Sequence, residues 1–137
     1  MTARVYIAAP LTCFRSANLA ASILSRAGYR VVSTWHECPA ASDPTDEEFR
    51  EKILAENLAQ LSGADVVVAL CDQGVPRATL CEIGFAVGLG KPIAWRCGLM
   101  GEGRNICDSH WLVHRFRAGD DIVAAVRGAL DRVARVA

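Results

Sequence analysis

The sequence predicts a doubly wound α/β fold, in which about five parallel strands form a sheet flanked by helices. Two apolar runs, RVYIAAP at residues 4–10 and ADVVVALC at residues 64–71, are continuous and do not alternate with polar residues. Continuous runs are typical of parallel strands, because helices cover both of their faces. Helical patterns follow both runs, so the chain alternates strand and helix as flavodoxin-like and Rossmann-like proteins do.

The remaining elements are marked by their ends. Glycines stand at the expected stops of the first two helices, Gly28 and Gly63. Asp120 and Asp121 stand at the start of the last helix, where the helix dipole favours acidic residues. In chain order, the sequence predicts a strand at 4–10, a helix at 16–28, a strand at 29–35, a polar loop at 36–46, a helix at 46–63, a strand at 64–71, a helix beginning near Thr79, a strand at 91–97, a loop at 98–110 and a helix at 120–136.

The composition limits the partners that the protein can have. Fifteen basic side chains balance fifteen acidic ones, so neither nucleic acid polymers nor anionic membranes are expected to attract the chain. A small-molecule ligand is expected instead. The 137 residues suit one domain spanning 1–137. Six cysteines without a Cys-x-x-Cys pair indicate reduced thiols and a cytoplasmic location, and no run approaches the ~20 apolar residues of a membrane-spanning helix.

An acidic residue, Glu82, lies near the start of an otherwise apolar helix, in the segment TLCEIGFAVGLGKPI at residues 79–93. The spacing from Thr79 to Glu82 fits a capping box, in which two side chains satisfy the first amides of a helix. A second interpretation is chemical, since the helix dipole and local amides would hold a first-turn carboxylate ionised. Such a carboxylate can attack the anomeric carbon of a sugar and form a covalent glycosyl-enzyme intermediate.

Other candidate residues lie near the carboxyl ends of the predicted strands, where open parallel sheets bind their ligands. Tyr6 is in the first strand, and its hydroxyl could reach Glu82 and orient it. Trp35 and His36 follow the second strand, where an aromatic ring serves either as a lid on the core or as a platform for a nucleobase.

Further polar residues have weaker interpretations. Asp72 follows the third strand, where a simple turn is the alternative. Arg15, Arg77 and Arg104 could each contact a phosphate. They are far apart in sequence, however, and the glycine-rich nucleotide-binding motifs are absent.

Three segments occur in a recognisable order and spacing: VYIAAPL at 5–11, AENLAQLSGADVVVAL at 55–70 and ATLCEIGFAVGLGKPI at 78–93. Together they resemble the nucleoside 2-deoxyribosyltransferases and the related 2'-deoxynucleoside 5'-monophosphate N-glycosidases. The resemblance covers residues 4–96, and its most specific part runs from Glu82 to Pro92.

This resemblance implies roles for individual residues. Glu82 matches the family's nucleophile, and Tyr6 matches the tyrosine that hydrogen-bonds to it. Asn57 stands where the family usually has an aspartate that acts as general acid or supports the nucleophile and the base. Asn105 resembles an asparagine that a neighbouring subunit contributes, which implies a homo-oligomer with shared active sites. No cofactor or metal is implied. Together with the residues discussed above, the positions predicted to bind substrate are Pro10, Leu11, Arg15, Trp35, His36, Asp72, Thr79 and Asn105.

The activity implied is cleavage of the N-glycosidic bond of a nucleoside or nucleotide through a covalent intermediate on Glu82, followed by transfer of the sugar to another base. One alternative is a nucleoside 5'-monophosphate N-hydrolase, in which residues 11–18 (LTCFRSAN) would bind the phosphate. A second alternative is a non-catalytic nucleotide-binding protein, because Asn57 cannot donate and recover a proton as an acid can.

Overall fold

The computed structural model describes residues 2–38 and 47–136, which contain one five-stranded sheet. Its strands lie in the order β2-β1-β3-β4-β5 and pair in parallel throughout. The predicted doubly wound α/β class is therefore confirmed. The strands are β1 (Arg4–Ala8), β2 (Arg30–Val31), β3 (Val66–Leu70), β4 (Ile93–Cys97) and β5 (Val113–Arg117). The helices are α1 (Phe14–Arg26), α2 (Glu47–Ser62), α3 (Arg77–Gly88) and α4 (Ile122–Ala134).

Strands β1 and β3 form the centre of the core. Every residue of β3 is buried, and β1 is buried from Val5 to Ala8. Helix α1 contacts α4, and helix α2 contacts α3, so that each pair covers one face of the sheet. Because both faces are covered, these strands have no solvent side and their sequences show no polar alternation.

Two predictions about the strands are wrong. Of the strand predicted at 29–35, only Arg30 and Val31 form a strand. Beyond Val32 the chain makes hydrogen bonds to β1 through its side chains and not through its backbone. Strand β5 lies in a stretch for which the sequence predicts no strand. Its residues, VHRFR, include three basic side chains and lie at the edge of the sheet, so no apolar run marks them.

The helix boundaries agree more closely with the predictions. Helix α1 begins two residues before the predicted start and ends at Arg26, while α2 ends at Ser62 beside the predicted stop Gly63. Most of the predicted loop at 36–46, and the predicted helix start at Asp46, lie outside the described residues. None of the described helices is both long and apolar enough to cross a membrane.

The end of α3 is tied to the central strand by Lys91. The backbone N–H of Lys91 donates to the carbonyl oxygen of Ala86 at 2.9 Å, which closes the last turn of the helix. The Lys91 ammonium donates to the carbonyl oxygen of Ala64 at 2.6 Å. Since Ala64 lies just before β3, this one lysine fixes the end of α3 against the start of the strand on which the sheet is centred.

The loop between β4 and β5 passes close to the end of β3 at Gly103. A Cβ atom on Gly103 would lie 1.4 Å from the carbonyl oxygen of Cys71, and the φ angle of Gly103 is +80°. The indole nitrogen of Trp95 also donates to the Gly103 carbonyl oxygen at 3.4 Å. Both the backbone conformation and the close approach require glycine here.

We expect Gly103→Ala to destabilise the protein by more than about 3 kcal/mol, because the loop must move away from Cys71 and alanine must adopt a left-handed backbone. Gly101 has a similar φ of +88°, but a Cβ there meets only the Arg104 side chain, at 3.7 Å. Gly101→Ala should therefore cost only the conformational strain, roughly 1–2 kcal/mol. Urea unfolding of both variants measures the difference, and equal losses would contradict the close approach.

Candidate active site

A cleft of about 140 Å³ lies at the carboxyl ends of β1 and β3. In this strand order the chain winds in opposite directions from β1, which leaves a crevice between β1 and β3 where such sheets bind their ligands. Residues from five separate parts of the chain meet here. The lining residues are Ala9, Leu11, Trp35, Asn57, Ala78 and Glu82.

A hydrogen bond between Tyr6 and Glu82 joins β1 to α3 at this cleft. The Tyr6 hydroxyl donates to Oε2 of Glu82 at 2.5 Å. Tyr6 is fully buried in the middle of β1, whereas Glu82 is half-buried and reaches the cleft. The contact predicted between these two side chains is confirmed. It forms because β1 neighbours β3 in the sheet and α3 follows β3 in the chain.

The protonation of Glu82 differs from the prediction. Burial raises the pKa of Glu82 to about 7, and the hydrogen bond from Tyr6 limits this rise. Burial and the adjacent Glu82 charge raise the pKa of Tyr6 well above 10, so the phenol remains a donor. The expectation that the helix start keeps Glu82 ionised is wrong, because α3 begins at Arg77 and Glu82 lies in its second turn.

Thr79 does not cap α3 and does not line the described cleft. Pro76 occupies the N-cap position with a φ of −68°, so the helix begins before the predicted cap. The fixed φ of proline suits a helix start and explains the shift. Thr79 is buried in the first turn, and within the described residues its hydroxyl has no hydrogen-bond partner. The predicted capping box is therefore wrong.

Trp35 forms one wall of the cleft and is held by β1. Its indole nitrogen donates to the carbonyl oxygen of Ile7 at 2.7 Å. The backbone N–H of Ile7 donates to the Ser33 hydroxyl at 3.1 Å. Two side chains thus satisfy the backbone of Ile7 where a longer β2 would have paired with it, and they fix the indole beside the strand that carries Tyr6.

His36 supports Trp35 and does not border the described cleft. The His36 ring is almost fully buried, with Nε2 at 2.9 Å from the Ser33 hydroxyl and Nδ1 at 2.7 Å from Oδ1 of Asn18. Asn18 also donates from Nδ2 to the His36 carbonyl oxygen at 2.8 Å. Burial lowers the pKa of His36. These bonds turn the ring into the interior, so His36 does not line the described cleft, and its role at a base pocket stays a prediction.

Asn57 and Leu11 line the cleft, and their roles in catalysis and substrate binding stay predictions. Asn57 is half-buried on α2 and makes no hydrogen bond with another described residue. Leu11 begins a short 3-10 helix between β1 and α1, and Pro10 precedes it and accepts a backbone hydrogen bond from Cys13 at 2.8 Å. Pro10 itself is not a lining residue. Ala9 also lines the cleft and was not predicted from the sequence, although its position directly after β1 could have indicated a place in the site.

Three other predicted residues do not line the described cleft. Asp72 forms an ion pair with Arg96 at 3.0 Å. Arg15 is exposed on α1, with its guanidinium 5.6 Å from the centre of the adjacent phenylalanine ring. Asn105 caps a 3-10 helix at Ile106–Ser109 and accepts a hydrogen bond from the backbone of its second residue at 3.1 Å. Within one chain, these three residues are not brought to Glu82.

The sheet order and the cleft define a doubly wound α/β protein with a tyrosine-bound carboxylate at its switch point. The family model of nucleoside 2-deoxyribosyltransferase matches residues 5–116. The chain therefore belongs to the nucleoside 2-deoxyribosyltransferase family, which acts on small nucleosides or nucleotides. A search of curated proteins found no match.

Solved structures share the fold at low sequence identity. A 2-deoxyribosyltransferase of Bacillus psychrosaccharolyticus is similar with a TM-score of 0.63 and 19% identity, over 90% of this chain and 96% of the other. A CMP N-glycosidase of Clostridium botulinum is similar with a TM-score of 0.58 and 18% identity, over 96% and 98%. A conserved protein of Enterococcus faecalis is similar with a TM-score of 0.53 and 19% identity, over 96% and 87%.

The raised pKa of Glu82 makes stability depend on pH. The folded protein holds the Glu82 proton up to about pH 7, whereas the unfolded chain releases it near 4.5. The stability from this group is complete below pH 4.5 and is lost as the pH rises through 7. We expect Glu82→Gln, which cannot ionise, to lack this decline and to be more stable than the wild type above pH 7 by roughly 3 kcal/mol.

Urea unfolding at a series of pH values measures this effect. Glu56→Gln is the matched control, because Glu56 is an exposed acid on the neighbouring helix α2. The control should keep the wild-type dependence on pH. A Glu82→Gln variant with an unchanged slope between these pH values would mean that the carboxyl titrates in the folded protein as it does in water.

Proposed function

We propose that this protein cleaves the N-glycosidic bond of a nucleoside or nucleotide through a covalent glycosyl intermediate on Glu82 and transfers the sugar to another base. The observation that carries this proposal is the Tyr6–Glu82 pair at the switch-point cleft. A half-buried carboxylate with one oxygen held by a phenol and its second oxygen without a described partner is suited to attack a bound sugar.

The proposed chemistry takes place at C1' of the sugar. In its ionised form, Glu82 attacks C1', the C1'–N bond breaks, and the electron pair leaves with the base, which takes a proton from water. A ring nitrogen of a second base then attacks the glycosyl ester. The ester bond breaks, the Glu82 carboxylate is restored, and the incoming base loses its proton to water.

Tyr6 and Trp35 would act as positioning groups in this scheme. The hydrogen bond from Tyr6 fixes the orientation of the carboxylate and favours its ionised form. The indole of Trp35 is immobilised by Ile7 and offers an apolar wall on which a nucleobase can pack.

Asn57 would contact the base without exchanging protons with it. Its amide can donate to a base oxygen or nitrogen and accept from an exocyclic amine. An amide cannot act as a general acid at neutral pH, so the departing base would be protonated by solvent. This feature predicts slower cleavage than an acid at the same position would support.

A second subunit is proposed to complete the site. The cleft in one chain, about 140 Å³, is smaller than the roughly 300–1,000 Å³ of most small-molecule sites. Asn105 does not line the described cleft of its own chain, which leaves it available to a neighbour's site. We therefore propose a homo-oligomer in which the Asn105 segment faces the partner's sugar or acceptor.

One observation favours a second candidate, a nucleoside 5'-monophosphate N-hydrolase. Leu11 lines the cleft and leads into the start of α1, so the amide groups there would lie near a ligand bound in the cleft. A helix start of this kind suits a phosphate group. Comparing a deoxynucleoside with its 5'-monophosphate separates the candidates, because only a phosphate-reading enzyme should strongly prefer the monophosphate.

Activity is tested by incubating the protein with deoxynucleosides, with and without a free acceptor base, and separating the products. We expect Glu82→Ala to lower turnover by at least about a thousandfold, because the nucleophile is lost. Tyr6→Phe should lower it about 10- to 100-fold, the cost of one hydrogen bond to a charged group. Glu56→Gln should leave it unchanged. Full activity of Glu82→Ala would overturn the mechanism, and nucleotide binding without turnover would indicate a non-catalytic protein.

Asn57→Asp gives a further test through the pH profile. Wild-type kcat/KM should rise as the pH passes about 7, because Glu82 must be ionised. A second carboxylate in the same cleft should move this rise to higher pH, since like charges disfavour ionisation. It should also raise the rate where the new aspartate is protonated. Ala55→Asp, which adds a charge to the exposed face of α2, is the control and should leave the profile in place.

A further inference from the structure

A second cavity, of about 510 Å³, lies at the carboxyl ends of β4 and β5 and is lined by several arginines. It shares no lining residue with the cleft at Glu82. The cavity and the cleft both lie at the carboxyl ends of the strands. At a strand spacing of about 4.8 Å, they are roughly 10 Å apart across the sheet. The lining residues are Cys97, Arg104, Arg115, Phe116, Arg117 and Asp120.

The arginines reach this cavity from two parts of the chain. Arg115 and Arg117 are two residues apart on β5, so their side chains project from the same face of the strand. Arg104 comes from the loop between β4 and β5. The close approach of Gly103 to Cys71 fixes this loop at the edge of the sheet and thereby places Arg104.

A buried carboxylate organises two of these arginines. Asp108 is 3% exposed, and its Oδ2 atom accepts from Nε of Arg104 at 3.3 Å. Its Oδ1 atom lies 3.7 Å from Nη1 of Arg115. The backbone N–H of Asn105 donates to the same carboxylate at 3.4 Å. Two cationic side chains are thus held in place from the interior while about half of each remains exposed.

The Arg117 guanidinium has no carboxylate partner of this kind among the described residues. Within the described residues, no hydrogen bond or ion pair involves its side chain, and only its backbone N–H donates, to Asp120 at 2.8 Å. Arginines outnumber carboxylates here, since Arg104, Arg115 and Arg117 face Asp108 and Asp120. The cavity is therefore locally positive on a chain without net charge.

We propose that this cavity binds the phosphate group of a small molecule. A guanidinium presents several N–H donors in a plane, which match the oxygens of a phosphate. Arg117 offers an unused set of donors, and Arg104 and Arg115 supply positive charge from fixed positions. The volume falls within the range of small-molecule sites. The cavity shares no lining residue with the cleft at Glu82 of the same chain, and the proposal assigns no catalytic role to the arginines.

The proposal is tested by calorimetric titration of the full chain with inorganic phosphate, and in a second arm with ribose 5-phosphate, at constant ionic strength. We expect saturable binding, weakened about tenfold or more by Arg117→Gln because charge-assisted hydrogen bonds are lost. Asp120→Asn should strengthen binding severalfold, because it removes a negative charge while its amide oxygen can still accept from the Arg117 backbone. Circular dichroism confirms that each variant is folded.

Arg127→Gln is the matched control, because Arg127 is exposed on α4 outside the cavity. It removes the same charge and should leave binding unchanged. Tighter binding of ribose 5-phosphate identifies a phosphorylated metabolite as the ligand, and equal binding identifies the phosphate ion. The proposal is overturned if binding is not saturable, if Arg117→Gln binds like the wild type, or if Arg127→Gln loses as much affinity as Arg117→Gln.

Discussion

The hydrogen bond between Tyr6 and Glu82 links the interior of the sheet to the chemistry proposed at its edge. A carboxyl group removed from water must keep a hydrogen-bond donor, or it costs the fold several kcal/mol. Strand β1 supplies that donor here because it lies next to β3, and the helix after β3 brings Glu82 to Tyr6. The hydrogen bond to the buried carboxyl group therefore depends on both the strand order and the position of α3.

A second constraint acts on the wall of the cleft. The chain after β2 leaves the sheet early, and Ser33 and Trp35 satisfy the backbone of Ile7 in place of a strand. His36 and Asn18 then hold this segment from behind. A rigid indole results, and it is positioned by the same strand that positions Tyr6. The nucleophile candidate and the aromatic wall thus share one reference element, which keeps their separation fixed.

The sequence predicted the features that depend on local pattern and on the order of elements. The central strands were recognisable because burial on both faces produces unbroken apolar runs, and the contact between Tyr6 and Glu82 followed from the resemblance. Strand β5 was not predicted, because arginines interrupt its apolar pattern. For the same reason, the cavity at the ends of β4 and β5 was not predicted, and Arg104 was its only lining residue among the candidates. The pKa of Glu82 was also out of reach, because desolvation depends on the packing around a group and not on its neighbours in sequence.

Lys91 has a consequence for how this chain can be compared with others. The segment from Glu82 to Pro92 has two separate functions. Glu82 lines the cleft, whereas Lys91 closes the end of α3 and binds Ala64, just before the central strand. Selection for a stable fold alone would preserve Lys91, whether or not Glu82 takes part in catalysis. Finding the lysine end of this segment in a distant chain therefore indicates a shared architecture. It does not indicate shared chemistry, for which the residues at the positions of Glu82 and Asn57 must be compared separately.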